Sequence, residues 1–296
     1  MSAYQSLLAE AAGRPFAAIV GWPVDHSRSP ALHGFWLKQQ GIDGHYGRLP
    51  VEPTRAALEE LVAFLKRTPN ARGCNLTLPH KIDIMPLLDR LHPDAVRIGA
   101  VNTVIKQADG TLEGRNSDGF GFLSALANGA PGWQAAAGPV VVLGAGGAAR
   151  AVVASLVQAG VPELRLLNRT QSSATALGVA FTPTDGRRIT IERWEERSLL
   201  LEGATLLVNT TSLGMKGQPP LDLDLSRLSK EAVVNDIVYV PLKTPLLAAA
   251  QSRGNRCVDG LDMLLHQGRL GFKAWFGADV AVSADLRRAV AADLGA

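Results

Sequence analysis

The stretch that decides the fold is Val140-Val-Val-Leu-Gly-Ala-Gly-Gly-Ala-Ala-Arg150. Val140 to Leu143 is an apolar, mostly β-branched run of strand length. Gly144-Ala145-Gly146-Gly147-Ala148-Ala149 then opens a helix expected over 148–159 and closed by Gly160. A strand, a glycine turn and a helix start in this order form a dinucleotide-binding unit. Gly144 makes the turn, Gly146 lets the backbone approach a diphosphate, and Ala149 lets the helix pack on the strand. The diphosphate would lie on the helix N-terminus, where unpaired N–H groups and the dipole favour negative charge.

The next expected strand, 164–168, runs into Asn168-Arg169-Thr170. Dinucleotide sites read the ribose about 20 residues past the glycines, and NAD sites place Asp or Glu there. A carboxylate would repel a 2′-phosphate, whereas the Arg169 guanidinium can grip it with paired, charge-assisted hydrogen bonds. An exposed arginine after a strand is common in itself, but at this position it points to NADP.

The chain has 296 residues, the length of one large or two ordinary domains. Its 47% hydrophobic content and 30 glycines suit a globular α/β protein. Thirty basic against 27 acidic residues leave a net charge of only +3, so no nucleic-acid partner is implied. Cys74 and Cys257 have neither metal nor redox spacing and argue against a disulfide framework. No secretory signal is read at the N-terminus. The most apolar long segment, 139–161, is cut by glycines and Arg150, so no membrane span is expected. Cytoplasmic is the default location.

In the N-terminal half, 16–20 reads as a buried strand and 21–30 as the loop leaving it. Pro30 suits the first turn of a helix over 31–40, with Ser29 as its N-cap. Ser27 and Ser29 then admit two readings: turn and capping residues, or hydroxyl donors to an anion at the carboxyl edge of a sheet. A short strand is expected at 44–50 and a helix at 54–66, with Leu58, Leu61, Val62 and Leu65 on one face. In Ala71-Arg-Gly-Cys-Asn-Leu-Thr-Leu-Pro-His-Lys81, Asn75 and Thr77 share one parity of a strand that Pro79 ends. Lys81 then falls at a helix start, where the dipole disfavours a cation; this hints at function, against the commoner reading of an exposed lysine. A strand is expected over 98–105, a turn at 108–110, and a helix entered through Asn116-Ser117-Asp118, with Asp118 readable as an N-cap. The repeated strand-loop-helix order predicts a mostly parallel sheet. A domain break is placed in 128–138, rich in Gly, Ala and Pro.

Further strands are expected at 189–191, 204–209 and 233–239, the last stopped by Pro241, followed by a helix from Thr244-Pro245. Residues 257–267 are read as the start of a helical tail, and a second amphipathic helix begins at Ser283.

Taken together, the ordered blocks resemble the shikimate dehydrogenase family, from about Ile19 to Gly277. They are Gly-x-Pro-x-x-His-Ser-x-Ser-Pro at 21–30, Gly-x-Asn-x-Thr-x-Pro-x-Lys at 73–81 and Gly-Ala-Val-Asn-Thr at 99–103. Asn-Ser-Asp-Gly at 116–119, Gly-Ala-Gly-Gly-Ala at 144–148 and Asn-Arg-Thr at 168–170 follow. Asn-Thr-Thr-Ser-Leu-Gly-Met at 209–215 and Gly-Leu-Asp-Met-Leu-Leu-His-Gln at 260–267 complete the set.

The resemblance implies an α/β fold of two domains. One is a substrate domain over 1–125 plus 262–296, the other a Rossmann-type NADP domain over 126–261, with the C-terminal helices returning to the first and a cleft between the two. It implies reversible reduction of 3-dehydroshikimate to shikimate with hydride from NADPH, on the route to aromatic amino acids. Lys81 and Asp118 would be the catalytic pair, the lysine protonating the alkoxide that hydride delivery leaves. Ser27 and Ser29, helped by Tyr239, would hold the substrate carboxylate. Asn75, Thr77, Asn102, Asp118 and Gln267 would hold ring hydroxyls. The cofactor would meet Gly144, Ala145, Gly146, Gly147, Ala148, Asn168, Arg169, Thr170, Thr210, Met215 and Gly260. No metal is implied, and a homodimer is left open.

Three positions depart from the family pattern: His33-Gly34 for His-Asn, Ser117 for the commoner Thr, and Ser172-Ser173 where many members carry a second basic residue. The last predicts a weaker NADP preference. Two rival readings are an NAD-preferring quinate/shikimate dehydrogenase, against which Ser29 and Arg169 speak, and a non-catalytic sensor, against which the presence of both Lys81 and Asp118 speaks.

Overall fold

The computed structural model describes residues 2–292. It divides into two compact units, one formed by residues up to Ser117 together with those from Gln267 on, the other by Asp118–His266. The sequence placed these limits at 125/126 and 261/262; residues 118–125 belong to a helix that packs on the glycine-turn helix of the second unit.

In the first unit the elements are α1 (Ala3–Ala11), β1 (Phe16–Gly21), α2 (Ser29–Gln39), β2 (His45–Pro50) and α3 (Arg55–Arg67). They continue with β3 (Ala71–Leu76), β4 (Arg90–Leu91), α4 (Pro93–Ile98), β5 (Thr103–Lys106) and β6 (Leu112–Arg115). The six strands form one sheet in the order β2-β1-β3-β5-β6-β4. β1 lies between β2 and β3, parallel to both, and all six of its residues are buried, as a strand covered on both faces must be. α3 starts on Thr54, whose hydroxyl accepts the Ala57 N–H, and buries Leu58, Leu61, Phe64 and Leu65 against that sheet. The β5–β6 pair is antiparallel, as is β3–β5, so three of the five pairings are parallel.

Three local expectations need correcting here. Ser29 is the first residue of α2, not its cap: Arg28 holds the cap position without a side-chain hydrogen bond. The strand expected over 98–105 begins only at Thr103; Ile98 closes α4, and Gly99 ends that helix in the left-handed region at φ 68°. Lys81 does not open an α-helix. It sits in a run of turns after β3, with His80 N–H on the Thr77 carbonyl and Ile84 N–H on the His80 carbonyl. Pro79 and Pro86 each lack the N–H that a continued helix would need.

The second unit holds α5 (Asp118–Gly129), β7 (Val140–Leu143), α6 (Gly147–Gln158), β8 (Glu163–Leu167), α7 (Gln171–Ala180) and β9 (Arg188–Glu192). β10 (Leu206–Asn209), β11 (Val233–Asp236), α8 (Pro245–Ser252) and β12 (Arg256–Val258) follow. α9 (Gly260–Phe276) carries the unit limit between His266 and Gln267, and α10 (Ala284–Ala292) belongs with the first unit. Residues 256–258 are therefore a strand, where the sequence reading began a helix at Cys257. The sheet order is β12-β11-β10-β7-β8-β9, every pairing parallel. This is the doubly wound Rossmann order, with its switch point between β7 and β10. Val140, Val141, Val142 and Leu143 are all fully buried, as a central parallel strand requires. Among the described residues no helix is long and apolar enough to cross a membrane.

Candidate functional site

In the first unit, the carboxyl ends of β1 and β3 and the start of β5 bring together Ser29, Asn75, Asn102, Thr103 and Ser117, with Gln267 from α9. All six are buried. Asn102 is the hub. Its Oδ1 accepts the Ser117 N–H at 2.9 Å and the Thr103 hydroxyl at 2.8 Å. Its Nδ2 donates to Ser117 Oγ at 3.0 Å and to Gln267 Oε1 at 3.3 Å. Asn75 Nδ2 donates to the Asn102 carbonyl at 3.1 Å and to Thr103 Oγ1 at 3.2 Å, while its Oδ1 accepts the Tyr46 hydroxyl at 2.6 Å. Buried amides of this kind are stable only when they are paired, and here each one orients the next.

Ser27 and Ser29 lie where the loop from β1 enters α2. The Ser27 hydroxyl donates to Ser29 Oγ at 3.3 Å, and Ser27 Oγ also accepts the Ser29 N–H. Arg48, exposed on β2, donates to the Ser27 carbonyl at 2.9 Å. Thr77 is half-buried just past β3; its N–H reaches the Val20 carbonyl at 2.9 Å. Lys81 is also half-buried, and its carbonyl accepts the Val101 N–H at 2.7 Å, so its backbone is pinned while its side chain is not part of the core.

Beneath this layer is an aromatic cluster. His33 is fully buried and stacks on Tyr46 with centroids 4.0 Å apart, with Trp36, Phe272 and Trp275 around it. Burial pushes the His33 imidazole down to about 3, partly offset by the Asn75 side chain, so the ring is neutral. Tyr46, Thr103 and Ser117 carry no role in the sequence reading, because Tyr46 and Ser117 meet partners 15 or more residues away and Thr103 joins its neighbour Asn102 to Asn75, 28 residues away.

In the second unit, the switch point brings the ends of β7 and β10 side by side. Gly144 has φ 110°, and a Cβ there would stand 2.5 Å from Thr210 Oγ1, so only glycine fits. Thr210 is tied to the same turn, donating from its N–H and its hydroxyl to the Leu143 carbonyl at 2.8 and 2.6 Å. Gly146 caps α6 with no side-chain hydrogen bond, and nothing lies within 4 Å of where its Cβ would be. Ala145, Gly147 and Ala148 are half-buried around it. An uncapped helix start beside open space fits a dinucleotide diphosphate. Asn168 Nδ2 donates to the Thr170 carbonyl at 2.9 Å, shaping the turn that exposes Arg169 and Thr170 at the start of α7.

The 209–215 and 236–245 segments are held by one carboxylate. Asp236 Oδ1 accepts Asn209 Nδ2 at 3.0 Å and the Val238 N–H at 3.1 Å, and Oδ2 accepts the Thr244 hydroxyl at 2.7 Å. Burial nevertheless raises its carboxyl to about 6. Met215 is exposed and Tyr239 half-buried at the ends of these segments. Asp118, buried, is the first residue of α5 rather than a residue outside the helix. Gly260 is explained by packing: a Cβ would come within 2.1 Å of the Ile237 carbonyl.

Residues 19–104 match the shikimate dehydrogenase substrate binding domain. The NADP(+)-dependent shikimate dehydrogenase of Rhodospirillum rubrum is 57% identical over 274 residues, which cover 93% of this chain and 96% of that protein. Among solved structures, shikimate 5-dehydrogenase from Thermus thermophilus in complex with NADP(H) and shikimate is 38% identical with a TM-score of 0.80. That match covers 93% of this chain and 98% of the other. Quinate dehydrogenase from Corynebacterium glutamicum in complex with NAD is 33% identical with a TM-score of 0.84, over the same shares of the two chains. The glycine turn at a Rossmann switch point, the buried amide cluster of the other unit and these near full-length similarities agree: the chain belongs to the shikimate dehydrogenase family.

Proposed function

We propose that this chain catalyses the reversible NADP-dependent interconversion of 3-dehydroshikimate and shikimate. The observation that carries the reading is the buried cluster of Asn75, Asn102, Thr103, Ser117 and Gln267. It is neutral, rich in amides and hydroxyls, and held in fixed orientation by its own hydrogen bonds, which suits recognition of the ring hydroxyls of a small polyol acid. Asn75, Thr77, Asn102 and Gln267 would hold the ring hydroxyls. The Ser27 and Ser29 hydroxyls, with Tyr239, would hold the carboxylate.

Gly144, Gly146, Gly147 and the first turn of α6 would take the diphosphate, with Ala145, Ala148, Thr210, Met215 and Gly260 lining the cofactor. Asn168, Arg169 and Thr170 would take the ribose and its 2′-phosphate. When bound, NADPH supplies the hydride. Lys81 Nζ would donate the proton that the nascent alkoxide needs, and Asp118 would orient the lysine and accept from a ring hydroxyl. In the reverse direction Lys81 would take that proton back.

Initial rates of shikimate and quinate oxidation, each with NADP and with NAD, test the reading. Turnover of shikimate with NADP is expected to be well above both quinate pairs and above shikimate with NAD by a modest margin. Comparable rates with quinate and NAD would place the chain with the quinate-type enzymes, and no turnover with any pair would remove the catalytic reading.

A further inference from the structure

We infer that Tyr46 is a positioning residue for the substrate site, one that fixes the side-chain amide of Asn75 so that it can only accept a hydrogen bond from a ring hydroxyl. The inference rests on the substrate reading given above.

The Asn102 backbone carbonyl can only accept a hydrogen bond. Asn75 must therefore turn its NH2 toward that carbonyl, 3.1 Å away, and its second amide hydrogen goes to Thr103 Oγ1 at 3.2 Å. Both donors of Asn75 are then committed inside the protein. Its Oδ1 is left facing Tyr46, so the phenol must be the donor in the 2.6 Å contact between them. His33 lies beside the Asn75 side chain, but neither of its ring nitrogens makes a hydrogen bond among the described residues, so one lone pair of Oδ1 remains and can meet only a donor. A ring hydroxyl is such a donor; a ketone oxygen or a carboxylate is not. Asn75 thus discriminates by polarity as well as by shape.

The phenol is built to stay where it is. Tyr46 is 5% exposed, its ring lies 11° from parallel to His33, and Trp275 packs on it at 5.9 Å. Burial holds the phenol well above its ordinary range, so it is a permanent donor across all working pH, and the neighbouring Ser29 side chain opposes that rise only in part. Ser29 belongs to the proposed carboxylate clamp. One side chain on β2 therefore touches both ends of the proposed substrate site without lying at the reacting atoms.

The test is Tyr46→Phe, which keeps the ring and its stacking and removes only the hydroxyl. Wild type is assayed first for shikimate oxidation with NADP. In Tyr46→Phe the KM for shikimate should rise about 5- to 20-fold, the fold-change of losing one buried hydrogen bond, with kcat within about threefold and the KM for NADP unchanged. The same substitution in an Asn75→Ser background should add less than twofold, because the residue through which it acts is already gone. A shikimate KM equal to wild type overturns the inference, as does an equal rise in both backgrounds, and both outcomes leave the reading of the activity intact. Absence of shikimate turnover in wild type overturns the activity and this inference together. If Asn75→Ser does not fold, the shikimate KM of Tyr46→Phe measured against its NADP KM decides alone.

Discussion

Asn209 and Asp236 meet across the β10–β11 pair, the amide of one donating at 3.0 Å to the carboxylate of the other, inside a region with no solvent access to either. Burial raises the Asp236 carboxyl from 3.8 to about 6 despite three donors. The folded state therefore holds this proton more tightly than the unfolded chain does. The stability it contributes is fully present below about pH 4 and is lost as pH rises through 6, a difference of about 3 kcal/mol in the limit. Asp236→Asn keeps one oxygen for Asn209 and Val238 and can donate to Thr244, so it should match or exceed wild-type stability at pH 8. Denaturant unfolding of both proteins from pH 4 to pH 8 measures this; a wild type that gains on the variant as pH rises would refute it.

Gly144 and Gly146 should separate folding from cofactor binding. Gly144→Ala puts a methyl against Thr210 in a left-handed backbone and should cost about 1–3 kcal/mol of stability as well as NADP binding. Gly146→Ala meets open space at φ −84° and should leave thermal stability within about 0.5 kcal/mol of wild type. Its methyl would nevertheless stand where the diphosphate must approach, raising the KM for NADP roughly tenfold or more. A Gly146→Ala protein with normal NADP affinity would place the diphosphate elsewhere.

Lys81→Ala should lower kcat by about 10²–10⁴ with a much smaller change in the shikimate KM. Its fold should persist, since the contact to Val101 uses the Lys81 carbonyl and not its side chain. An unchanged kcat would remove the lysine from proton transfer.

Arg169→Ala should raise the KM for NADP about tenfold while leaving any NAD-linked rate unaltered if, as proposed, the guanidinium takes only the 2′-phosphate. With Ser172 and Ser173 on the following turn, the wild-type preference for NADP over NAD is expected to be modest. Equal losses with both cofactors would mean that Arg169 supports the fold and not the choice of cofactor.

How much of this could be read in advance follows from range along the chain. The strand, glycine turn and helix at 140–158 are one local unit, and its reading holds to within a residue. The β5–β6 hairpin is not legible locally, because the Ala108-Asp109-Gly110 turn does not by itself show the antiparallel return it produces. α4 escaped because it starts at Pro93 in a polar stretch and ends after six residues, too short for a periodic pattern. β12 has three residues and merges in sequence with the helix that follows. At the site, Asn75 and Asn102 stood out through the family pattern, but Tyr46 did not. Its meaning lies in a partner 29 residues away, and no local spacing encodes that distance.

The discontinuity of the first unit bears on the order in which the protein is made. Its aromatic cluster needs Phe272 against His33, and Trp275 donating to the Val104 carbonyl at 3.0 Å. A ribosome delivers residues up to Ser117 long before either side chain exists; at 5–20 residues per second the intervening segment takes roughly 10–30 s. Through that interval the strands of the second unit emerge in turn while the face of His33, Trp36 and Tyr46 waits for its cover. A chain truncated before Phe272 would leave that aromatic face without its cover, the kind of apolar surface that draws aggregation.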